Sequence, residues 1–193
     1  MSSLTNNFNE LLNRVGDGRE FSQASFEPIY YLVFKPDEIL EVKRLTPSWI
    51  AKLKDRGYEV KVFSIATEIA EILGSAKLRK IWLAADKKAP LNWDKTNAAL
   101  TNALVKEDGG PLQDKLEALL ESISSIDNAI LLVTDLEALH PYLRIGSLEG
   151  RLYGKFQTPT VFLYPGERTG KTRLKFLGFY PEDGNYRSVH VGG

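Results

Sequence analysis

Two apolar segments constrain the fold of this chain more strongly than any other part of its sequence. Residues 129–134 read Ala-Ile-Leu-Leu-Val-Thr and residues 160–164 read Thr-Val-Phe-Leu-Tyr, and neither segment alternates between apolar and polar positions. A strand that is apolar on both sides needs cover on both faces, which is typical of the interior of a parallel α/β sheet. Since the residues between the two segments have a helical pattern, they predict one β-α-β crossover.

This crossover also predicts where a ligand would bind. Parallel strands end at the same edge of a sheet, so Asp135 and the turn expected at Gly166 and Glu167 should lie side by side. In open α/β sheets, ligands usually bind at this edge. Asp135 could pair with Glu167 for metal binding or acid–base chemistry, or it could cap the helix that follows its strand.

The remaining patterns predict one α/β domain over residues 1–193. Its central sheet is expected to be mostly parallel, with about five strands flanked by helices and an antiparallel C-terminal edge. Residues 29–34 predict another strand, whereas residues 59–63 alternate and are therefore placed nearer the edge of the sheet. Thr46 and Pro47 suit the first positions of the helix between these two strands.

The C-terminal segment has a different pattern. Residues 174–179 and 186–191 predict two further strands, and the connection at 181–185 is too short for a parallel crossover. The tail is therefore expected to be antiparallel. It would either close the sheet or present Tyr186 and Arg187 to a partner, and its aromatic and β-branched residues favour closure.

Residues 75–110 have no strand pattern and predict a helical excursion from the sheet. The excursion contains Trp82 and Trp93, which could anchor a partner protein or could pack the excursion against the rest of the domain. It also carries several basic side chains. These could bind nucleic acid or simply be solvated.

Composition excludes several classes of function. The chain has no Cys, which rules out disulfides, thiolate nucleophiles and Cys-ligated zinc. Its 25 basic residues balance its 25 acidic ones, so there is no overall basic field for nucleic acid. No apolar run approaches the roughly 20 residues of a membrane span, and the first residues lack the pattern of a signal peptide. We therefore expect a cytoplasmic protein.

The catalytic motifs in the sequence are incomplete. Residues 166–172 resemble a phosphate-binding loop, but only three residues separate Gly166 from Gly170, and a strand pattern follows instead of a helix. His140 and His190 do not have the spacing of a zinc-protease motif. Arg144 could hold an anion or a partner carboxylate, or it could pin a loop internally. The sequence predicts no cofactor.

A series of motifs in the second half of the chain resembles the BrxB family of bacterial BREX phage-defence systems. The resemblance is clearest over residues 128–190. In chain order, its motifs are the strand and Asp135, His140-Pro141-Tyr142-Leu143-Arg144, Pro165-Gly166-Glu167, Phe176-Leu177-Gly178 and Asn185-Tyr186-Arg187.

The resemblance implies a non-catalytic adaptor that binds the PglZ-type, phosphatase-like component of the defence complex. The family-motif or candidate interaction residues are then Asp135, Arg144, Gly166, Glu167, Gly178, Asn185, Tyr186 and Arg187. The alternative is a degenerate nucleotide- or metal-dependent phosphoryl-transfer domain that uses Asp135, Glu167 and Lys171.

Overall fold

Seven strands form one sheet in this computed structural model, which describes residues 3–17, 27–106, 109–170, 173–184 and 188–193. The strands are β1 (Ile29–Phe34), β2 (Glu59–Ser64), β3 (Ala129–Thr134), β4 (Thr160–Thr169), β5 (Arg173–Phe176), β6 (Asp183–Gly184) and β7 (Val189–Gly192). Five of them run parallel in the order β2-β3-β4-β1-β7. The predicted fold class is therefore confirmed.

Helices cover both faces of this sheet. They are α1 (Ser3–Gly16), α2 (Ile39–Asp55), α3 (Ile65–Ser75), α4 (Arg79–Lys88), α5 (Trp93–Leu104), α6 (Pro111–Ile123) and α7 (Ile145–Arg151). Short 3₁₀ helices at Pro36–Glu38 and Leu136–Leu139 follow β1 and β3. No helix among the described residues is both long enough and apolar enough to cross a membrane.

The two apolar segments form neighbouring interior strands, as predicted. Every residue of β3 is buried, and β3 pairs in parallel with β4 through the register Leu131↔Thr160. The alternating segment is β2, which lies at the edge of the sheet, also as predicted. Alternate residues of the buried strands enter two separate cores, as the period of two requires. The core that contains Leu131 packs against α3, α6 and α7, whereas the core that contains Ile130 packs against α1 and α2.

The predicted start of α2 is wrong. The helix begins at Ile39, directly after the 3₁₀ turn, and Pro47 lies inside it. The Thr46 hydroxyl does not cap the helix and instead donates a hydrogen bond of 2.8 Å to the carbonyl of Val42. An interior proline costs a helical hydrogen bond, but the buried face that includes Trp49 offsets that loss.

The prediction for the C-terminal segment is partly right. The C-terminal segment contains antiparallel pairs, as expected, because β5 pairs with β4 and with β6. However, β6 lies within the connection predicted at 181–185, and β7, in the region of the second predicted strand, runs parallel to β1. The loop length does not set the direction of β7, because β7 pairs with a strand distant in sequence. The turn predicted at Gly166 is also wrong, since β4 continues to Thr169.

Two helices occupy the excursion, α4 and α5, and the described part of residues 75–110 holds no strand beyond an isolated bridge between Lys106 and Gly109. The two tryptophans differ. Trp82 is buried, whereas Trp93 is 65% exposed and donates its indole N–H to the carbonyl of Pro90.

Candidate functional site

A polar cluster lies at the carboxyl edge of the parallel sheet. Ser64 and Thr134 are paired at the ends of β2 and β3, and Asp135 follows with a left-handed backbone (φ 58°). The Asp135 carboxylate accepts hydrogen bonds from the Ser64 hydroxyl at 2.7 Å and from the Thr134 hydroxyl at 2.8 Å. Ser64 also caps α3, because its hydroxyl accepts a hydrogen bond from the backbone of Thr67. The cluster thus joins two strand ends to a helix start.

Lys43 of α2 completes this cluster from the other side of the edge. Its ammonium group lies 2.8 Å from Asp135 and 2.7 Å from Glu137. Burial would raise the pKa of Asp135, but the hydrogen bonds from its three donors outweigh burial and hold the pKa below its usual range. The same two carboxylates raise the pKa of Lys43.

A cleft of about 190 Å³ lies between α2 and this edge. Its walls are mostly apolar, including Phe34 and Val42, and its polar side is formed by Lys43, Asp135 and Glu137. The position is the one where open α/β sheets bind ligands. However, each carboxylate there already has an ammonium partner within the chain.

These contacts correct two predictions for Asp135. It occupies the N-cap position of the 3₁₀ helix, but its side chain makes no capping hydrogen bond. It also does not form a pair with Glu167, because β4 extends past the sheet edge and carries Glu167 opposite Lys175 of β5. The described residues contain no group of three or more His, Cys, Asp or Glu side chains that could hold a metal ion.

Three of the other motif residues come together on the β4–β5 hairpin. Gly166 lies opposite Phe176, and Gly178 has a φ of +73° beside the Glu167 carboxylate. Gly166 is needed for close approach, because a Cβ there would lie 2.6 Å from the Tyr164 ring and would collide with the carbonyl of Lys175.

Arg144 lies at the start of α7, with its guanidinium 5.2 Å from the centre of the Tyr180 ring. The Tyr180 hydroxyl in turn contacts the Nδ1 atom of His140. The Arg144 side chain therefore packs against Tyr180 of the same chain, which agrees with the predicted role of pinning a loop internally. The predicted residues Lys171, Asn185, Tyr186 and Arg187 lie outside the described residues.

Sequence reasoning missed a second polar contact, in the interior. The Tyr31 hydroxyl of β1 donates a hydrogen bond to the Glu149 carboxylate of α7. Burial raises the pKa of Glu149 to about 7, the hydrogen bond from Tyr31 opposes this rise, and the negative charges of Glu27 and Asp183 add to it. No motif marks either residue.

The fold and the site together define an α/β protein with a mostly parallel central sheet. At the edge of the sheet where such folds bind ligands, the carboxylates of Asp135 and Glu137 form ion pairs with Lys43 of the same chain. A sequence model of the family described as BREX protein BrxB matches residues 59–191, and the chain belongs to this family. It is therefore a component of a BREX phage-defence system. The resemblance seen in the motifs is confirmed, and the match begins well before residue 128. No curated protein and no solved structure matches the chain significantly.

Replacing Lys43 with Met tests the internal role of this cluster. We expect Lys43→Met to lower the free energy of unfolding by about 1–2 kcal/mol at pH 7, because it leaves two carboxylates without their cation. This loss of stability should become smaller as the pH falls. Asp135, whose pKa is lowered in the folded protein, stabilises the fold only while it is ionised, and this contribution is lost when the carboxylate becomes protonated at low pH. Urea unfolding at pH 7 and pH 3.5 measures both values.

The matched control is Lys54→Met, on the exposed side of the same helix. This change should stay within about 0.5 kcal/mol. Equal effects of the two variants would show that the Lys43 cluster does not stabilise the fold.

Proposed function

We propose that this chain is a non-catalytic adaptor of a BREX phage-defence complex and that it binds the PglZ-type component. Membership of the BrxB family makes the chain a component of such a system. The observation that carries the adaptor role is the state of Asp135, the best candidate for a catalytic or metal-binding group. Its carboxylate forms an ion pair with Lys43 and accepts hydrogen bonds from the hydroxyl groups of Ser64 and Thr134.

A catalytic carboxylate needs access to substrate or to a metal ion, and its neighbours normally shift its pKa toward the working pH. Asp135 has the opposite properties, because its pKa is lowered and both of its oxygens have partners within the chain. This arrangement supports a structural task for the sheet edge. The protein would then act through contacts between its surface and a partner protein.

Co-elution with a purified PglZ-type protein of the same system tests this proposal. We expect the two proteins to elute together from a gel-filtration column at micromolar concentration, earlier than either protein alone. The control is each protein run separately at the same concentration. Separate elution of a mixture at tens of micromolar would contradict the proposed function.

The cleft beside Asp135 is the one observation that favours a second function. At about 190 Å³ it has room for a small polar group, and the alternative is a degenerate phosphoryl-transfer domain. A calorimetric titration with ATP and Mg²⁺ separates the two functions. Heat of binding that disappears in Asp135→Ala, while the circular dichroism spectrum of the variant stays that of the folded protein, would favour the alternative.

A further inference from the structure

The excursion forms a groove with an apolar floor between three helices. Along α4, Arg79, Trp82, Leu83 and Asp86 recur at helical spacing and face this groove. The opposite walls come from α3 and α5, and they consist of Ala70, Leu73, Gly74, Thr96 and Leu100. The groove has a volume of about 290 Å³. It therefore has room for a large apolar side chain.

Exposed apolar side chains are concentrated in the segment that carries α4. Ten large hydrophobic side chains are exposed among the described residues, and five of them lie between residues 78 and 93. These five are Leu78, Ile81, Leu83, Leu91 and Trp93. Leu83 is the member of this set that lines the groove, and the other four lie elsewhere on the same segment. An apolar groove on a segment with exposed apolar side chains is typical of an interaction site in soluble proteins.

The net positive charge of the same segment favours an acidic occupant. Residues 77–95 carry six basic and two acidic side chains, in a chain with a formal net charge of +0. The charged residues that line the groove are Arg79 and Asp86. The other five basic residues of the segment are exposed lysines that lie outside the lining. A partner with apolar anchors and flanking carboxylates would match both the apolar floor and the net basic charge of the surrounding segment.

We propose that this groove binds an acidic segment of a partner protein through a leucine-sized apolar side chain. The proposal rests on the proposed function, in which the chain acts by binding another protein, and it locates the surface used. A concave apolar floor suits an inserted side chain, as in helix-in-groove recognition. Nucleic acid would instead need basic groups along the floor, and a membrane would need a convex apolar face.

Fluorescence anisotropy with a labelled synthetic peptide tests the groove directly. The probe is a helical peptide with two leucines four residues apart and glutamates around them. We expect it to bind at least tenfold more tightly than a peptide with both leucines replaced by alanine. Replacing the glutamates with glutamine should also weaken binding, and added salt should weaken only the acidic peptide.

Two variants block the groove in different ways. Gly74→Leu fills it from α3, where an added Cβ would meet no atom within 4 Å. Leu83→Glu places a carboxylate in a wall position that is 52% exposed in the free protein. We expect each variant to lose at least tenfold in peptide affinity, while its thermal unfolding midpoint stays close to that of the wild type.

Leu40→Glu is the matched control, because Leu40 is 67% exposed on α2 and does not line the groove. Its affinity should stay within twofold of the wild type. Unchanged binding in Gly74→Leu and Leu83→Glu, or no peptide binding by the wild type, would overturn the proposal. Binding to phosphatidylserine vesicles or to duplex DNA that Leu83→Glu abolishes would overturn the assignment of a protein partner.

The two proposals fail separately in this design. If the PglZ-type protein co-elutes equally with wild type, Gly74→Leu and Leu83→Glu, the groove is not the binding surface, although the adaptor function stands. If the peptide results are as expected but the PglZ-type protein never co-elutes, the groove stands and the proposed partner is wrong.

Discussion

Gly166→Ala is expected to lower the free energy of unfolding by about 3 kcal/mol, which is the upper end of the usual cost of overpacking. The glycine lies where β4 pairs with β5, opposite Phe176. An added methyl group would collide with the Lys175 carbonyl and would lie 2.6 Å from the ring of Tyr164, which is only 1% exposed. Neither neighbour can move freely, because one is backbone and the other is packed in the core.

Thermal unfolding followed by circular dichroism measures this effect. For a protein of this size, about 3 kcal/mol corresponds to a decrease of about 6–12 °C in the unfolding midpoint. Gly74→Ala is the control, since a Cβ at that helical position meets nothing within 4 Å. It should be neutral or stabilising by up to about 1 kcal/mol. An unchanged midpoint for Gly166→Ala would show that the hairpin can yield around the added methyl group.

The difference between these glycines shows what the sequence can and cannot predict. A run of buried residues such as β3 indicates an interior strand by itself, because both of its faces are apolar. The pattern predicts a turn at Gly166 because glycine often ends a strand, yet in the fold this glycine permits close approach of a neighbouring strand. The sequence does not say which of these two uses a glycine has.

The candidate site is less predictable than the fold for a related reason. Asp135 is detectable in the sequence because it directly follows a recognisable strand. Its partners Lys43 and Ser64 lie on other elements, and Ser64 is 71 positions away in the chain. Such contacts arise only when tertiary packing brings strand ends together. The same holds for Tyr31 and Glu149, which are 118 positions apart.

The interior position of Glu149 gives the second large expected effect. Its pKa is raised from 4.5 to about 7 in the folded protein, because burial disfavours the charged carboxylate. Between these two pH values the unfolded chain releases a proton that the folded chain keeps. The free energy of unfolding should therefore fall as the pH rises through this window, and the full contribution is about 3 kcal/mol.

Glu149→Gln removes this titration while keeping an oxygen that can accept the Tyr31 hydroxyl hydrogen bond. Relative to the wild type, the variant should gain about 2–3 kcal/mol in unfolding free energy between pH 4.5 and pH 8. Urea unfolding followed by tryptophan fluorescence provides the values, because Trp49 is buried and stacks on Phe8. Glu10→Gln, at a half-exposed position on α1, is the control and should show no such gain.

The comparison must use the difference between variant and wild type, because His190 acts in the opposite direction. Burial and the nearby charge of Arg168 lower the pKa of His190 to about 4, so this group destabilises the folded protein as the pH falls below 6.5. In the wild type the two effects partly cancel between pH 4.5 and pH 6.5. Since His190 is present in both proteins, its contribution disappears from the difference. A difference that stays constant with pH would show that Glu149 is already ionised in the folded protein at pH 5.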